Sequence, residues 1–445
     1  MMQPWFNQAK LGIFIHCGIY AIQRRGSESW PFFRGDVAYD EFMTQLGEFD
    51  PKHFDPADWA QLIADAGARY AVLTTKHHDG VALWPTKQAG PSIVNERRKD
   101  NPDFPDIVAE YLAAIRAKDI KAGLYFSHCD WTNDAFMEVL LNVDKDELKK
   151  LRAVETNFRE MRNAAHDAAE DQPGNDARWQ EFLDFHRGQL TEILSNYGNI
   201  DLLWFDVMMR RNNYDYKCAE LRDFIHGICD ATIINSRLEG HGDYGTPEQF
   251  LPVYAPKGEW EFCVTTNNTW SYTGREEKYK SPQEIVTMFC ECLGMGGNML
   301  LNIGPDEHGR VPEQQRYLLL ELGKWIRKHE EAVYETVRGL PHGYAYHMTS
   351  LSPARDVLYV YCAHDPKGNT PIKGIKNEVK RVSIVGTDHE CAHKRVGGAG
   401  WLGVPGTVYV DVPREHLDEY ATVLKLELDG TLDLYGGEGR EIDEN

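Results

Sequence analysis

Long apolar runs are missing from this chain of 445 residues, and with them any segment able to span a bilayer as a helix. Basic charge is scarce: 48 Lys and Arg face 69 Asp and Glu, for a formal net charge of -21. That deficit argues against a nucleic-acid partner, since phosphate binding needs clustered Lys and Arg. It also suits a neutral ligand better than an anionic one. No basic-then-apolar signal opens the sequence, so the expectation is a cytoplasmic protein, or a mature form whose signal has been removed. The nine cysteines are scattered, odd in number and without paired metal-ligand spacing. They read as free thiols of a reducing compartment. There is no G-x-S-x-G elbow for a nucleophilic serine, no H-E-x-x-H metal motif and no fixed-period repeat. Gly294-Met-Gly-Gly297 lies after a helix and before a strand, the reverse of a dinucleotide-binding loop, and reads as a helix end and turn.

What is there is an alternation. Short apolar runs at residues 11–18, 70–78, 121–128, 200–207, 231–237, 260–266 and 298–305 have strand character. Amphipathic stretches at 54–67, 107–118, 178–195, 216–228, 281–293 and 312–329 have helical spacing. Asp55 before Pro56, and Ser281 before Pro282, look like helix starts. Strand followed by helix, repeated, predicts an α/β fold: a (β/α)8-like TIM barrel over residues 1–334. Residues 133–177 interrupt the rhythm with mixed charge and helix-prone composition, closed by Pro173 and Gly174. They read as a helical insertion on the barrel rim, a solvated hairpin without chemistry of its own. From about residue 335 helical periodicity fades. Alternating runs at 357–361, 379–385, 408–412 and 422–428 predict a C-terminal antiparallel β-sandwich over 335–445.

Polar residues gather at the ends of the apolar runs: His16; His77 and His78; Tyr125, Ser127 and His128; Trp204 and Asp206; Arg237; Asn302. In a barrel these ends share one mouth, where catalytic groups sit. Asp206, closing Ile-Asp-Leu-Leu-Trp-Phe-Asp, is an odd residue for a core, although a helix cap would also explain it. His77 and His78 would face opposite ways on a regular strand. A metal-dependent hydrolase stays open as an alternative, but no metal set is identified and no cofactor is expected. Histidines beside Trp and Tyr suit a sugar, which offers hydroxyls to polar groups and an apolar face to rings. Glycoside cleavage then needs two carboxyls, about 5–5.5 Å apart in a retaining enzyme. Asp206 is the candidate nucleophile. The acid/base should come from a later loop, with Glu239, Glu248, Glu259 and Glu261 as candidates. The long segment 20–50, with Glu28, Trp30, Phe32, Phe33 and Arg34, has the length of a functional loop.

Several stretches, in order, carry a family resemblance. They are Trp5-Phe6 with Lys10-Leu-Gly-Ile-Phe-Ile-His-Cys-Gly18, then Thr75-Lys-His-His-Asp-Gly80, Gly123-Leu-Tyr-Phe-Ser127, Tyr197-Gly-Asn-Ile-Asp-Leu-Leu-Trp-Phe-Asp206, Asn235-Ser-Arg237 and Gly296-Gly-Asn-Met-Leu-Leu-Asn-Ile-Gly304. The chain resembles glycoside hydrolase family 29, the α-L-fucosidases. The resemblance implies a retaining mechanism without a cofactor on a barrel with an appended sandwich. It implies Asp206 as nucleophile and Glu248, in Asp243-Tyr-Gly-Thr-Pro-Glu248, as acid/base. By the same resemblance His16, His77, His78, Tyr125, Trp204 and Arg237 contact the sugar, as do Glu28 and Trp30 of Glu28-Ser-Trp30. Phe14 and Trp270 would line a pocket for the C6 methyl. Two positions depart from the family pattern: Cys17 replaces a usual Trp, and Ser29 splits the Glu-Trp pair of loop one. The implied partner is a fucosylated oligosaccharide or glycoconjugate, with no nucleic acid and no membrane. An α-L-galactosidase, a catalytically silent sugar-binding homologue and a homo-oligomer stay open.

Overall fold

The computed structural model describes residues 2–25, 27–166, 170–211, 214–274, 278–364, 366 and 369–437. Residues 167–169 of the expected insertion and 438–445 of the expected sandwich lie outside these.

Seven parallel strands form one sheet: β1 (Leu11–Ile15), β2 (Tyr70–Lys76), β3 (Lys121–Ser127), β4 (Leu202–Asp206), β5 (Ile233–Ile234), β6 (Glu261–Thr265) and β7 (Asn298–Ile303). Their order is β5-β4-β3-β2-β1-β7-β6. Helices cover the outer face, so the strands are buried almost throughout, which is why they read as continuous apolar runs. The open edges β5 and β6 are joined by an irregular extended segment. Tyr244 bridges to Asn235, Gly245 to Trp260 and Glu248 to Cys263, all in parallel sense. Backbone hydrogen bonds hold it: Asp243 N to Ile234 O at 2.6 Å, Cys263 N to Pro247 O at 3.0 Å and Gln249 N to Cys263 O at 2.9 Å. Residues 243–249 therefore complete the ring as its eighth stave. The sequence showed only a loop there, because Tyr-Gly-Thr-Pro-Glu has no strand alternation and Pro247 cannot donate to a ladder.

Helix starts carry the expected chemistry. Asp55 accepts from Ala57 N and Asp58 N ahead of helix Pro56–Asp65. Ser281 and Glu284 make a reciprocal capping box on helix Pro282–Met295, whose end is turned by Gly296 at φ 75°. The barrel floor is packed by rings. Tyr70 lies where any side chain on Gly12 would stand, since a Cβ there would come within 2.3 Å of its ring.

The insertion differs from expectation. It forms helices Asp134–Leu141, Lys145–Arg152 and Phe158–His166. The first is buried from Ala135 to Leu141, not solvated. The charged composition belongs to the second and third helices, while the first packs on helix Asn175–Ser195 and the third reaches loop one at Trp30–Arg34. Phe33 of that loop stacks on Trp131 at 4.1 Å, and Arg152 donates to the Trp131 and Thr132 carbonyls at 3.1 Å.

The C-terminal sandwich pairs a five-stranded sheet with a three-stranded one. The first holds β8 (Val337–Arg338), β9 (Met348–Leu351), β10 (Val357–Cys362), β12 (Val379–Ile384) and β15 (Thr422–Leu428). The second holds β11 (Asn369–Lys373), β13 (His393–Val396) and β14 (Thr407–Asp411). Period-two alternation sorts β10: Leu358, Val360 and Cys362 enter the sandwich core, whereas Tyr359 and Tyr361 pack with the barrel. Trp325 Nε1 donates to Ala421 O at 2.9 Å and Tyr361 Oη to Ala332 O at 2.5 Å across this junction.

Candidate active site

Asp206 is the last residue of β4, at the C-terminal mouth of the barrel. Tyr125 Oη donates to its Oδ2 at 2.9 Å, and Arg237 Nη1 to its Oδ1 at 2.5 Å. Val207 N also donates to Oδ1, at 2.9 Å. Val207 makes that bond at φ 37°, a strained conformation for a β-branched residue. The chain thus bends sharply at the point where the carboxylate is aimed. The other end of the Arg237 guanidinium bonds Glu248 on the eighth stave, so one cation bridges two carboxylates. Burial opposes the Arg237 charge, but Asp206 and Glu248 outweigh it and raise its pKa.

Around this triad the structure brings together every sugar-site residue singled out in the sequence. Phe14, His16, Glu28, Trp30, His77, His78, Tyr125, Trp204, Asp206, Arg237, Glu248 and Trp270, with Val207, line one cavity of about 260 Å³. It is smaller than the ~300–1,000 Å³ of sites for drug-sized ligands, and has room for a single sugar ring. Its floor and walls are aromatic. Trp204 stacks on Tyr125 at 5.7 Å, Tyr125 on His77 at 5.5 Å, and Arg237 lies over Trp204 at 4.7 Å. Phe14 packs on Trp204 at 5.0 Å and on Trp270 at 6.0 Å, giving an apolar corner.

His77 and His78 do not face opposite ways. The β2–β3 register shifts between Thr74 and Lys76 and regular strand ends at Lys76, so both rings turn into the cavity, 4.1 Å apart. Each histidine is tied behind. His16 Nδ1 lies 2.6 Å from Asn302 Oδ1, His77 Nδ1 2.5 Å from Ser29 Oγ, and His78 Nδ1 2.7 Å from Ser127 Oγ. Burial lowers His16 to about 4 and His78 to about 3, and takes His77 well below its usual value. All three rings are neutral near pH 7. Among the described residues no group of three His, Cys, Asp or Glu is placed to hold a metal ion.

His128 does not join the mouth. It packs behind β4 against Phe205 at 4.2 Å and His186 at 5.4 Å. Cys17 also points away: it is buried, its N–H bonds Thr74 Oγ1 at 3.0 Å, and burial pushes its thiol up to about 12. Cys17 therefore takes no part in the lining. Of the four carboxylates considered as acid/base, only Glu248 reaches the cavity. Glu239 pairs with Arg210 on the surface at 3.0 Å. The Glu259 carbonyl accepts from Gly245 N, at the opposite end of the stave from Glu248. Glu261 is fully buried beneath the cavity, taking Trp204 Nε1 at 2.8 Å and Tyr70 Oη at 2.6 Å. It is a support for the tryptophan floor, and burial pushes it up to about 7.

Of the supporting layer, the sequence reading names Ser127 and Asn302, but as residues of the mouth, whereas they stand behind His78 and His16. Ser29 and Asp79 were visible only as an insertion and as part of a motif, yet Ser29 is the neighbour of His77. Glu28, at φ 48°, turns its carboxylate back to Ser271 N at 2.9 Å. Burial raises its pKa against the pull of that hydrogen bond.

A parallel barrel whose mouth sets two carboxylates on one guanidinium, over stacked rings and neutral imidazoles, has the layout of a glycoside hydrolase. Residues 1–331 match the family model described as alpha-L-fucosidase, and the chain belongs to that family of glycoside hydrolases. It is 29% identical over 362 residues to the tissue alpha-L-fucosidase of Mus musculus, covering 75% of this chain and 71% of the relative. It is 26% identical over 374 residues to the alpha-L-fucosidase of Dictyostelium discoideum, covering 74% of this chain and 71% of that one. Alpha-L-fucosidase isoenzyme 1 from Paenibacillus thiaminolyticus superposes with a TM-score of 0.79 at 28% identity, over 96% of this chain and 98% of that one.

Proposed function

We propose that this chain is an exo-acting, retaining α-L-fucosidase that releases a terminal fucose from an oligosaccharide or glycoconjugate. The observation that carries the reading is the Arg237 bridge between Asp206 and Glu248 inside a cavity sized for one sugar. One guanidinium between two carboxyls favours the short spacing of a retaining pair over the ~6.5–9.5 Å gap that holds water in an inverting one. Exposure supports this division of roles. The Asp206 side chain is 15% exposed and held by three donors, as a nucleophile should be. Glu248 is 37% exposed at the mouth, where a leaving group departs.

In the first step an Asp206 oxygen attacks the anomeric carbon while protonated Glu248 gives its proton to the glycosidic oxygen. The C–O bond to the leaving group breaks and a β-linked fucosyl ester forms. In the second step Glu248 takes a proton from water, the hydroxide equivalent attacks the same carbon, and Asp206 leaves as carboxylate. Arg237 and Tyr125 hold Asp206 and aim it at the anomeric carbon. The corner of Phe14 and Trp270 suits a C6 methyl and would strand the hydroxyl of the galacto analogue, which disfavours an α-L-galactosidase. The nine cysteines are all buried and unpaired, in keeping with a cytoplasmic setting.

The test is hydrolysis of 4-nitrophenyl α-L-fucoside against the α-L-galactoside. The expected result is cleavage of the fucoside by the wild type, with a galactoside rate at least tenfold lower, and no cleavage by Asp206→Ala. A wild type that cleaves only the galactoside, or neither sugar, contradicts the proposal.

A further inference from the structure

We infer that Ser29 and Asp79 form a tautomer lock on His77, fixing its cavity-facing nitrogen as a hydrogen-bond acceptor, and so act as positioning residues for ligand selection. The inference rests on the cavity being the fucoside site.

The argument is an inventory of protons. Ser29 and Asp79 are both buried. Ser29 Oγ has three neighbours: Asp79 Oδ2 at 3.1 Å, Asp79 N at 3.1 Å and His77 Nδ1 at 2.5 Å. A hydroxyl offers one proton and two lone pairs. Above the value of about 7 to which burial pushes Asp79, its carboxylate is ionised and only accepts, so it takes the Ser29 proton. The backbone N–H of Asp79 only donates, so it fills one lone pair. The remaining lone pair must receive a proton, and His77 Nδ1–H supplies it. A neutral ring carries one proton, so Nε2 is left with a bare lone pair toward the cavity. Asp79 is held in turn, since its Oδ1 accepts Val81 N at 3.0 Å.

The other two histidines obey the same logic through different partners. Ser127 Oγ gives its proton to the Cys129 carbonyl at 2.8 Å, so it must accept from His78 Nδ1–H. Asn302 Nδ2 donates to the Trp270 carbonyl at 2.7 Å, which turns Oδ1 to His16 Nδ1–H. Three imidazoles thus present three acceptors. They select a ligand face that donates, namely hydroxyls, and reject a face bearing fluorine, ether or carbonyl oxygen at the same positions. Ser29, inserted between Glu28 and Trp30, is what brings His77 into this set.

Asp79→Asn is the discriminating variant, because it keeps shape and reverses polarity. With the amide oxygen held by Val81 N, the amide nitrogen donates to Ser29 Oγ. The serine proton is then left for His77 Nδ1, and the ring carries its proton on Nε2. The readout is a long-range 1H–15N correlation spectrum of protein labelled at histidine side chains. It is recorded at pH 8.5, above the value of about 7 to which burial pushes Asp79, with His77 assigned by His77→Gln. The expected result is Nδ1–H in the wild type and Nε2–H in Asp79→Asn. With 3- and 4-deoxyfluoro aryl α-L-fucosides, the wild type should lose at least tenfold in kcat/KM at the hydroxyl facing His77, and Asp79→Asn at most threefold. Nε2–H in the wild type, or an unchanged tautomer in the variant, overturns the inference, as does an equal fluorine penalty in both. The wild-type spectrum decides the tautomer even if the variant does not fold. A correct tautomer in an enzyme inert to fucosides would leave the lock standing and remove the fucoside reading.

Discussion

The two walls of the cavity are built differently. The rear wall stands at the ends of the paired strands β1 to β4, and its histidines and Asp206 are each anchored by a neighbour. His16 rests on Asn302, His77 on Ser29, His78 on Ser127, and Asp206 on Tyr125 and Arg237. The front wall is two residues of β5, the irregular stave 243–249 and β6. It carries Glu248, whose carboxylate has Arg237 as its ion-pair partner. Next along the chain, Phe250, Val253 and Tyr254 are 84%, 85% and 74% exposed. In the proposed mechanism the difference follows the chemistry. A nucleophile must be held within a fraction of an ångström of the anomeric carbon. An acid/base must meet a leaving group that comes and goes, so it sits at the rim on backbone that interrupts the ladder.

The largest expected effects separate the walls by role. Asp206→Ala should lower kcat/KM on any α-L-fucoside by at least a thousandfold, because the carboxylate that would form the fucosyl ester is gone. Glu248→Ala should lower it by roughly a hundredfold to ten-thousandfold on natural fucosides. On a 2,4-dinitrophenyl fucoside, whose leaving group needs no proton, the first step should stay near wild type. Equal losses on both substrates would remove the acid role.

Beneath both walls lies Glu261. Burial pushes it up to about 7 from 4.5, so the folded protein keeps a proton that the unfolded chain releases. Its contribution to stability is therefore fully present below about pH 4.5 and declines as pH rises toward 7. Glu261→Gln should erase that slope. Its stability relative to wild type, read by urea denaturation, should rise by on the order of 3 kcal/mol between pH 4.5 and 7.5. A difference that is flat with pH would mean the carboxyl stays ionised under Trp204.

The stave can be loosened without touching the rear wall. Asp243 ties it to β5 and to helix Cys218–Ile228, accepting from Ile234 N at 2.9 Å and from Arg222 Nη2 at 2.5 Å. Asp243→Ala should lower kcat on natural fucosides about tenfold, or 1.4 kcal/mol, through misplaced Glu248. The affinity for free fucose, set by the rear wall, should stay within twofold. On the rear wall, Tyr125→Phe removes one of the donors to Asp206. It should cost a few-fold in kcat, comparable to one hydrogen bond of about 1 kcal/mol, measured with the same aryl fucoside.

Legibility in the sequence follows the same division. The rear wall could be read because apolar strands ending in His16, Tyr125 and Asp206 contrast with their own interiors. The eighth stave could not, since Asp-Tyr-Gly-Thr-Pro-Glu is held by backbone bonds to two neighbours rather than by its own pattern. Composition misled at the insertion, where the charges of helix Lys145–Arg152 masked the buried helix Asp134–Leu141 beside it. Strand periodicity misled at His77 and His78, because a register shift is a property of two strands and neither sequence records it. Ser29 and Asp79 were invisible as a pair: 50 residues apart, they meet only in the fold.

The most direct measurement of the assignment is azide rescue with product stereochemistry. Asp206→Ala and Glu248→Ala would each turn over an activated aryl α-L-fucoside in azide, with the anomer read by proton NMR. The account requires α-fucosyl azide from Glu248→Ala, by azide opening the Asp206 ester, and β-fucosyl azide from Asp206→Ala, by direct displacement. The β product from Glu248→Ala, or no azide product from it at all, would contradict the two-carboxylate mechanism on this pair of walls.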